Sequence, residues 1–341
     1  MRTLGQHRDL TRLVRVVYVR PRLLWAINRD RPRDVLGEAK SRILRPERSD
    51  MTGKPTNREL FPAPLVYGPS HAALYYHDVL TRRRERDCVA AELVATLMAQ
   101  LPSLEYLDLQ RCSRWTRGEG LSTSTLAALN ISSLPIRRLD IGPRPDNVAR
   151  LSPGLETLNL HATDFYEEYP PLPKLKILRM TECWTGKTFL EDILNACIGG
   201  LRPLFTRASR RNMPRHFQLS DEVSLLSCHQ RTLKSLHLDL STQGRVVGKI
   251  EDGLYLKDFA VLEHLSIGSE MIYGFDGIQE QGFPHSEALI RLLPASLVSL
   301  SIQTKQTGET GWAMLEMGLV RLAEAKQRQP DQFSPTWMGS M

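Results

Sequence analysis

Cysteine is scarce in this chain of 341 residues: there are five, at positions 88, 112, 183, 197 and 228. The number is odd and no two form a C-x-x-C pair, so neither a disulfide framework nor a zinc ribbon is expected. Long hydrophobic runs are missing too. No stretch of about 18 apolar residues occurs, which excludes a predicted transmembrane helix. The first twenty residues are interrupted by Arg and Asp throughout and lack the apolar core of a secretory signal. Reduced thiols and a cytoplasmic or nuclear location are the expectation. Aromatic residues make up only 7% of the chain, which is sparse for a base-stacking platform. No H-E-x-x-H, G-x-S-x-G or G-x-G-x-x-G is present, so no enzyme and no cofactor are expected.

The charge is localised. Residues 1–50 hold twelve Arg and one Lys against six acidic residues, which accounts for the whole formal charge of +7. The pI of 9.2 therefore describes one segment and not the chain. Together with Arg82, Arg83, Arg84 and Arg86, this segment suits a nuclear signal or a nucleic-acid contact, but no nucleic-acid module accompanies it and a solvated basic segment is the plainer reading. Five prolines between residues 46 and 69 mark an irregular linker. Residues 1–83 are read as a basic, irregular cap and linker, 84–328 as the folded array, and 329–341 as a flexible tail.

What the chain has in quantity is one repeated pattern, L-x-x-L-x-L with Ile or Met allowed. It starts at Leu104, Ile136, Leu155, Leu175, Leu233, Leu262 and Leu297, with a weaker copy in the Leu10–Val19 segment. The alternating pair predicts a half-buried strand, and the Leu three positions earlier packs the turn that leads into it. Two copies reach Cys112 and Cys183 at the ninth position, where the leucine-rich repeat consensus places a small inward side chain. These cysteines are accordingly read as structural.

Between the copies, apolar spacing predicts helices. One carries Val89, Leu93, Val94, Leu97, Met98 and Leu101; a second carries Phe189, Ile193, Leu194, Cys197 and Ile198 and stops at Gly199-Gly200. A third runs from Pro284 to Leu293. A last helix, with Trp312, Leu315, Leu319, Val320, Leu322 and Ala323, closes the array. Strand, turn and helix in succession predict an α/β leucine-rich repeat solenoid: a curved parallel sheet with helices on the convex side. The 58-residue interval after Leu175 holds either extra structure or a degenerate repeat.

The segment Thr181–Thr188 places Gly-Lys-Thr between a strand and a helix, the order of a phosphate-binding loop. The first glycine of G-x-x-x-x-G-K-[ST] is Thr181 here, and Glu182 stands where backbone N–H groups would cradle phosphate. The repeat supplies the strand-to-helix order by itself, so the segment is read as the descending turn of a repeat. His161, His237 and His264 lie on predicted strands, but a metal site needs convergent ligands and these fall on different rungs. His71, His77 and Asp78 are given no catalytic role, because a spacing of six does not put the histidines on one helix face.

The span from about residue 4 to 328 resembles the fungal F-box/leucine-rich-repeat proteins. The resemblance rests on the L-x-x-L-x-L copies, the opening Asp9–Val19, and the ending Leu293–Leu300 with Leu322–Lys326. It implies that the repeats hold a protein substrate for an SCF-type ubiquitin ligase. In that family an F-box precedes the repeats and docks the cullin adaptor. The expected Leu-Pro-x-Glu start with a following helical block is not found here. The alternative is a leucine-rich repeat scaffold with no ligase role.

A repeat array of this kind binds proteins on its exposed, concave sheet face, where side chains alternate with the inward leucines. The register names them: Tyr106, Asp108, Arg138, Asp140, Asn159, His161, Arg179, His237, Asp239 and His264 are the candidate protein-binding residues. Tyr106, Arg138 and Arg179 lead, because Tyr and Arg dominate interface hot spots.

Overall fold

The computed structural model describes residues 8–19, 91–109, 123–142, 146–162, 169–183, 187–208, 224–239, 256–269, 272, 288–303 and 309–328. It divides into two compact units, one of residues 1–15, 20–104 and 114–132, the other of residues 16–19, 105–113 and 133–341.

In the first unit residues 91–99 are helical, with Leu93, Val94, Ala95 and Met98 buried. The predicted face is present, although Leu97 is only half-buried, and Val89 lies outside the described residues. A second helix, Thr123–Ala128, ends where Asn130 adopts φ 56°. Ile131 N–H then bonds Leu126 O at 2.9 Å and Asn130 N–H bonds Ala127 O at 2.9 Å. This double closure satisfies carbonyls that the helix end leaves open, and Asn is one of the few side chains that tolerate the left-handed conformation.

The second unit is an α/β structure built on a nine-stranded sheet. Its strands are β1 Val16–Tyr18, β2 Tyr106–Leu109, β3 Arg138–Ile141, β4 Thr157–His161, β5 Ile177–Cys183, β6 Pro203–Ala208, β7 Ser235–Asp239, β8 His264–Gly268 and β9 Ser299–Gln303. They pair in sequence order, every pair is parallel, and the sheet is open. Helices Asp146–Arg150, Lys187–Ala196, Ala288–Leu292 and Glu309–Arg328 and two 3-10 turns, Ser227–His229 and Leu256–Asp258, occupy the connections and the end.

The leucine pattern explains this order. Cross-strand register stacks Val17, Leu107, Leu139, Leu158, Leu178, Leu204, Leu236, Leu265 and Leu300 in one column. A second inward column runs from Leu109 through Ile141, Leu160 and Met180 to Thr206, Leu238, Ile267 and Ile302. From β2 to β8 both columns are buried. Each fully buried Leu contributes about 1.5–3 kcal/mol, and a strand slipped by one residue would turn its whole set to solvent. The first Leu of each copy is buried as well, and its successor links the rungs. Glu156 and Thr157 N–H both donate to Arg137 O, Lys176 and Ile177 to Glu156 O, and Glu263 and His264 to Lys234 O.

β6 is the strand hidden in the 58-residue interval. Its copy is Leu201, Leu204 and Thr206, all buried. Thr stands where the pattern demands an aliphatic residue, and its hydroxyl lies 3.5 Å from His237 O. β1 is the N-terminal copy in valine form, Val14, Val17 and Val19. One expectation for the helices is corrected. Ile198 is 71% exposed, because the helix ends at Ala196 and the chain has already turned toward Gly199. In the last helix Leu315 and Leu322 are buried, whereas Trp312, Leu319, Val320 and Ala323 are exposed. Trp312, Leu319 and Ala323 form a stripe beside the one that Leu315 and Leu322 bury, because residues three and four apart are neighbours on a helix.

Candidate functional site on the outer face of the sheet

Alternation puts one row of side chains on the outer face at Val16, Tyr106, Arg138, Thr157 and Ile177, continuing at Ser235, His264 and Ser299. The next row is Tyr18, Asp108, Asp140, Asn159, Arg179, Phe205, His237, Ser266 and Ser301. A third holds His161, Thr181, Arg207 and Asp239. Every candidate residue named from the sequence sits on one of these rows.

The candidates fall into distinct clusters. On β1–β4, Asp140 is the hub. Tyr106 donates its hydroxyl hydrogen to Asp140 Oδ2 at 2.8 Å, and Arg138 donates from Nε to Oδ1 at 3.3 Å and from Nη2 to Oδ2 at 3.2 Å. Asn159 Nδ2 donates to Oδ1 from the other side. The Arg138 guanidinium lies 4.5 Å above the Tyr106 ring, and Tyr18 meets that ring edge-on at 5.4 Å. Burial and the hydrogen bond to the Asp140 carboxylate push the Tyr106 phenol well above the ordinary tyrosine range. The same carboxylate raises Arg138 further.

The outward residues differ in how far they are available to a partner. Asp140 is only 6% exposed and is spent on its neighbours. Asp239 is buried likewise, with Arg207 Nε 3.4 Å from its Oδ2. Tyr18, at 62%, and Arg138 are the exposed members of the first cluster, and Tyr18 was missed because the valine copy carrying it is short and weak.

On β6 and β7, Phe205 and His237 stack with centroids 4.1 Å apart. Phe205 is a second residue that the sequence reading missed, for want of a recognised strand at β6. On β4 and β5, His161 Nδ1 lies 2.8 Å from Thr181 Oγ1, and Thr181 gives its own hydrogen to Leu160 O at 3.2 Å. His161 Nδ1 therefore carries the hydrogen of that pair. His161, His237 and His264 stand on different rows and strands and do not converge. Arg179 is exposed between Asn159 and Phe205, and among the described residues no carboxylate neutralises it.

Two further features bear on chemistry. The strand before Gly-Lys-Thr lies in a sheet whose order never reverses, so there is no switch point of the kind where open α/β sheets take nucleotides. At its end Glu182 adopts φ 56° and the register shifts between Thr181 and Cys183. That turns Cys183 inward, where its sulfur lies 3.6 Å from Leu160 O, in keeping with a structural role; Cys112 lies outside the described residues. Burial pushes the Cys197 thiol up to about 12, which rules it out as a nucleophile at neutral pH.

No family model matches the chain, and neither does any curated protein or solved structure. Among the described residues, no helix is long and apolar enough to cross a membrane.

Proposed function

We propose that this chain is a leucine-rich repeat protein that holds another protein against the outer face of its sheet, the concave wall in an array of this kind. One observation carries the reading. Nine strands pair in sequence order; those from β2 to β8 bury their inward columns on one side, and the other side carries Tyr, Arg, His, Asn and Phe side chains, many of them braced by a neighbour across the strand boundary. Braced aromatic and Arg side chains lose little entropy on binding, which is how interface hot spots reach their energies.

The resemblance to fungal F-box/leucine-rich-repeat proteins extends the proposal to substrate recognition for an SCF-type ubiquitin ligase. The alternative is a scaffold outside that machinery. Capture with a tagged full chain from its native cell separates them. Near-stoichiometric cullin adaptor supports the ligase role, whereas retained partners without the adaptor leave the scaffold. Loss of every partner at physiological salt overturns protein binding itself.

A further inference from the structure

We propose that the partner segment is acidic and that it docks across β5–β7 with Arg179 as its anchor; this rests on the protein-binding reading and names the chemistry of the partner. Among the described residues, the outer rows of these three strands and the residues leading into them carry Lys176, Arg179, Arg202, Arg207 and Lys234 against Glu182 and Asp239. Three of the five cations are already paired. Lys176 reaches Glu156 at 3.0 Å, Lys234 reaches Glu263 at 2.8 Å, and Arg207 meets Asp239 at 3.4 Å. Arg179 and Arg202 are exposed with no acidic partner among the described residues.

Their placement makes a binding surface. Arg202 is held between Lys176 and Lys234, donating its backbone N–H to Lys176 O and accepting at its carbonyl from Lys234 and Ser235. Arg179 lies one strand away and three residues further along, about 10 Å at the usual rise. Beside it Phe205 stacks on His237 and offers apolar area. On the other side Asn159 stands between Arg179 and Asp140, whose carboxylate is buried and already engaged by Tyr106, Arg138 and Asn159. A guanidinium paired bidentately with a carboxylate, next to an aromatic contact, is a strong arrangement for peptide recognition. A nucleic acid suits the patch less, because its single aromatic pair among the described residues is a short platform for successive bases and Asp239 and Glu182 interleave the cations.

The test is a random peptide display library selected on the immobilised full chain, in parallel with Arg179→Glu and with Ile198→Glu as an exposed control. The expected result is enrichment of Asp and Glu with wild type and with the control, lost with Arg179→Glu. Replacing the acidic residues of a selected peptide by Asn and Gln should weaken it by about tenfold or more, the loss of one charge-assisted contact. Arg179→Gln should weaken the same peptide without inverting its preference. Enrichment of peptides with no acidic bias overturns the inference and leaves protein binding standing. Displacement of the selected peptide from wild type by single-stranded RNA at lower concentration than by free peptide also overturns it. Enrichment of no sequence overturns both.

Discussion

Tyr106 and Asp140 stand 34 residues apart and meet across the β2–β3 boundary, with the phenol donating to Oδ2 at 2.8 Å. The bond forms only if Tyr106 pairs with Arg138 and Asp108 with Asp140, which is the register the buried leucines impose. Core packing on one face thus places the polar network on the other. Asp140→Ala removes the acceptor shared by Tyr106, Arg138 and Asn159 and should destabilise the chain by about 2–3 kcal/mol in denaturant unfolding. Tyr106→Phe should cost about 1–2 kcal/mol. The phenol is raised in the folded state, so its contribution is complete below about pH 10 and is lost as pH climbs through the folded value. Ultraviolet titration should show one tyrosinate forming late, and Tyr106→Phe should remove it.

His229 gives the opposite dependence. It is buried, with Nε2 3.1 Å from Leu194 O and Nδ1 accepting from Leu201 N–H at 3.5 Å. Desolvation holds its pKa below the ordinary value, against a smaller upward pull from Leu194 O. The folded state therefore resists a proton that the unfolded chain takes up below about pH 6.5. Stability should be intact above that pH and fall on acidification through the folded value. Thermal melts at descending pH should show a shallower decline for His229→Gln, separable from the carboxylates Glu156 and Glu263, which are lowered by Lys176 and Lys234 and act below the ordinary carboxylate range.

Gly199 is required by space. A Cβ there would lie 2.1 Å from Pro173 O, a backbone atom of the preceding connection. Gly199→Ala should cost about 1–3 kcal/mol, the usual range for overpacking. At Gly154 the nearest atom would be 4.0 Å away, so Gly154→Ala should be close to neutral. A larger loss at Gly154 than at Gly199 in urea unfolding would contradict this packing.

Leu204 tests whether β6 is a full member of the sheet. It lies between Leu178 and Leu236 and is buried, so Leu204→Ala should cost about 2–5 kcal/mol. Ile198→Ala, at an exposed position, should stay within about 0.5 kcal/mol. Equal effects would place residues 203–208 outside the core.

Much of this architecture is legible in the sequence, because seven copies of one pattern fix both the strands and the direction of their side chains. β6 escaped because Thr206 occupies an aliphatic position and answers its burial with a hydroxyl contact, which a hydrophobic pattern does not register. β1 was faint because valines replace every leucine. For the last helix, spacing located the apolar positions but not which of them a neighbour covers: Leu315 and Leu322 are buried, Trp312 and Leu319 are not. The outer rows were legible by alternation. That Asp140 binds Tyr106, Arg138 and Asn159 was not, because the contact depends on cross-strand register between segments far apart in sequence.

The central claim is that partners bind the outer face, and its most direct test is affinity for a captured partner. Titration calorimetry should compare wild type with the variant carrying Tyr106→Ala, Arg138→Ala and Arg179→Ala, each confirmed folded by its unfolding transition. Loss of at least one hot spot predicts weakening by about 30-fold or more. Unchanged affinity in the folded triple variant would contradict the account.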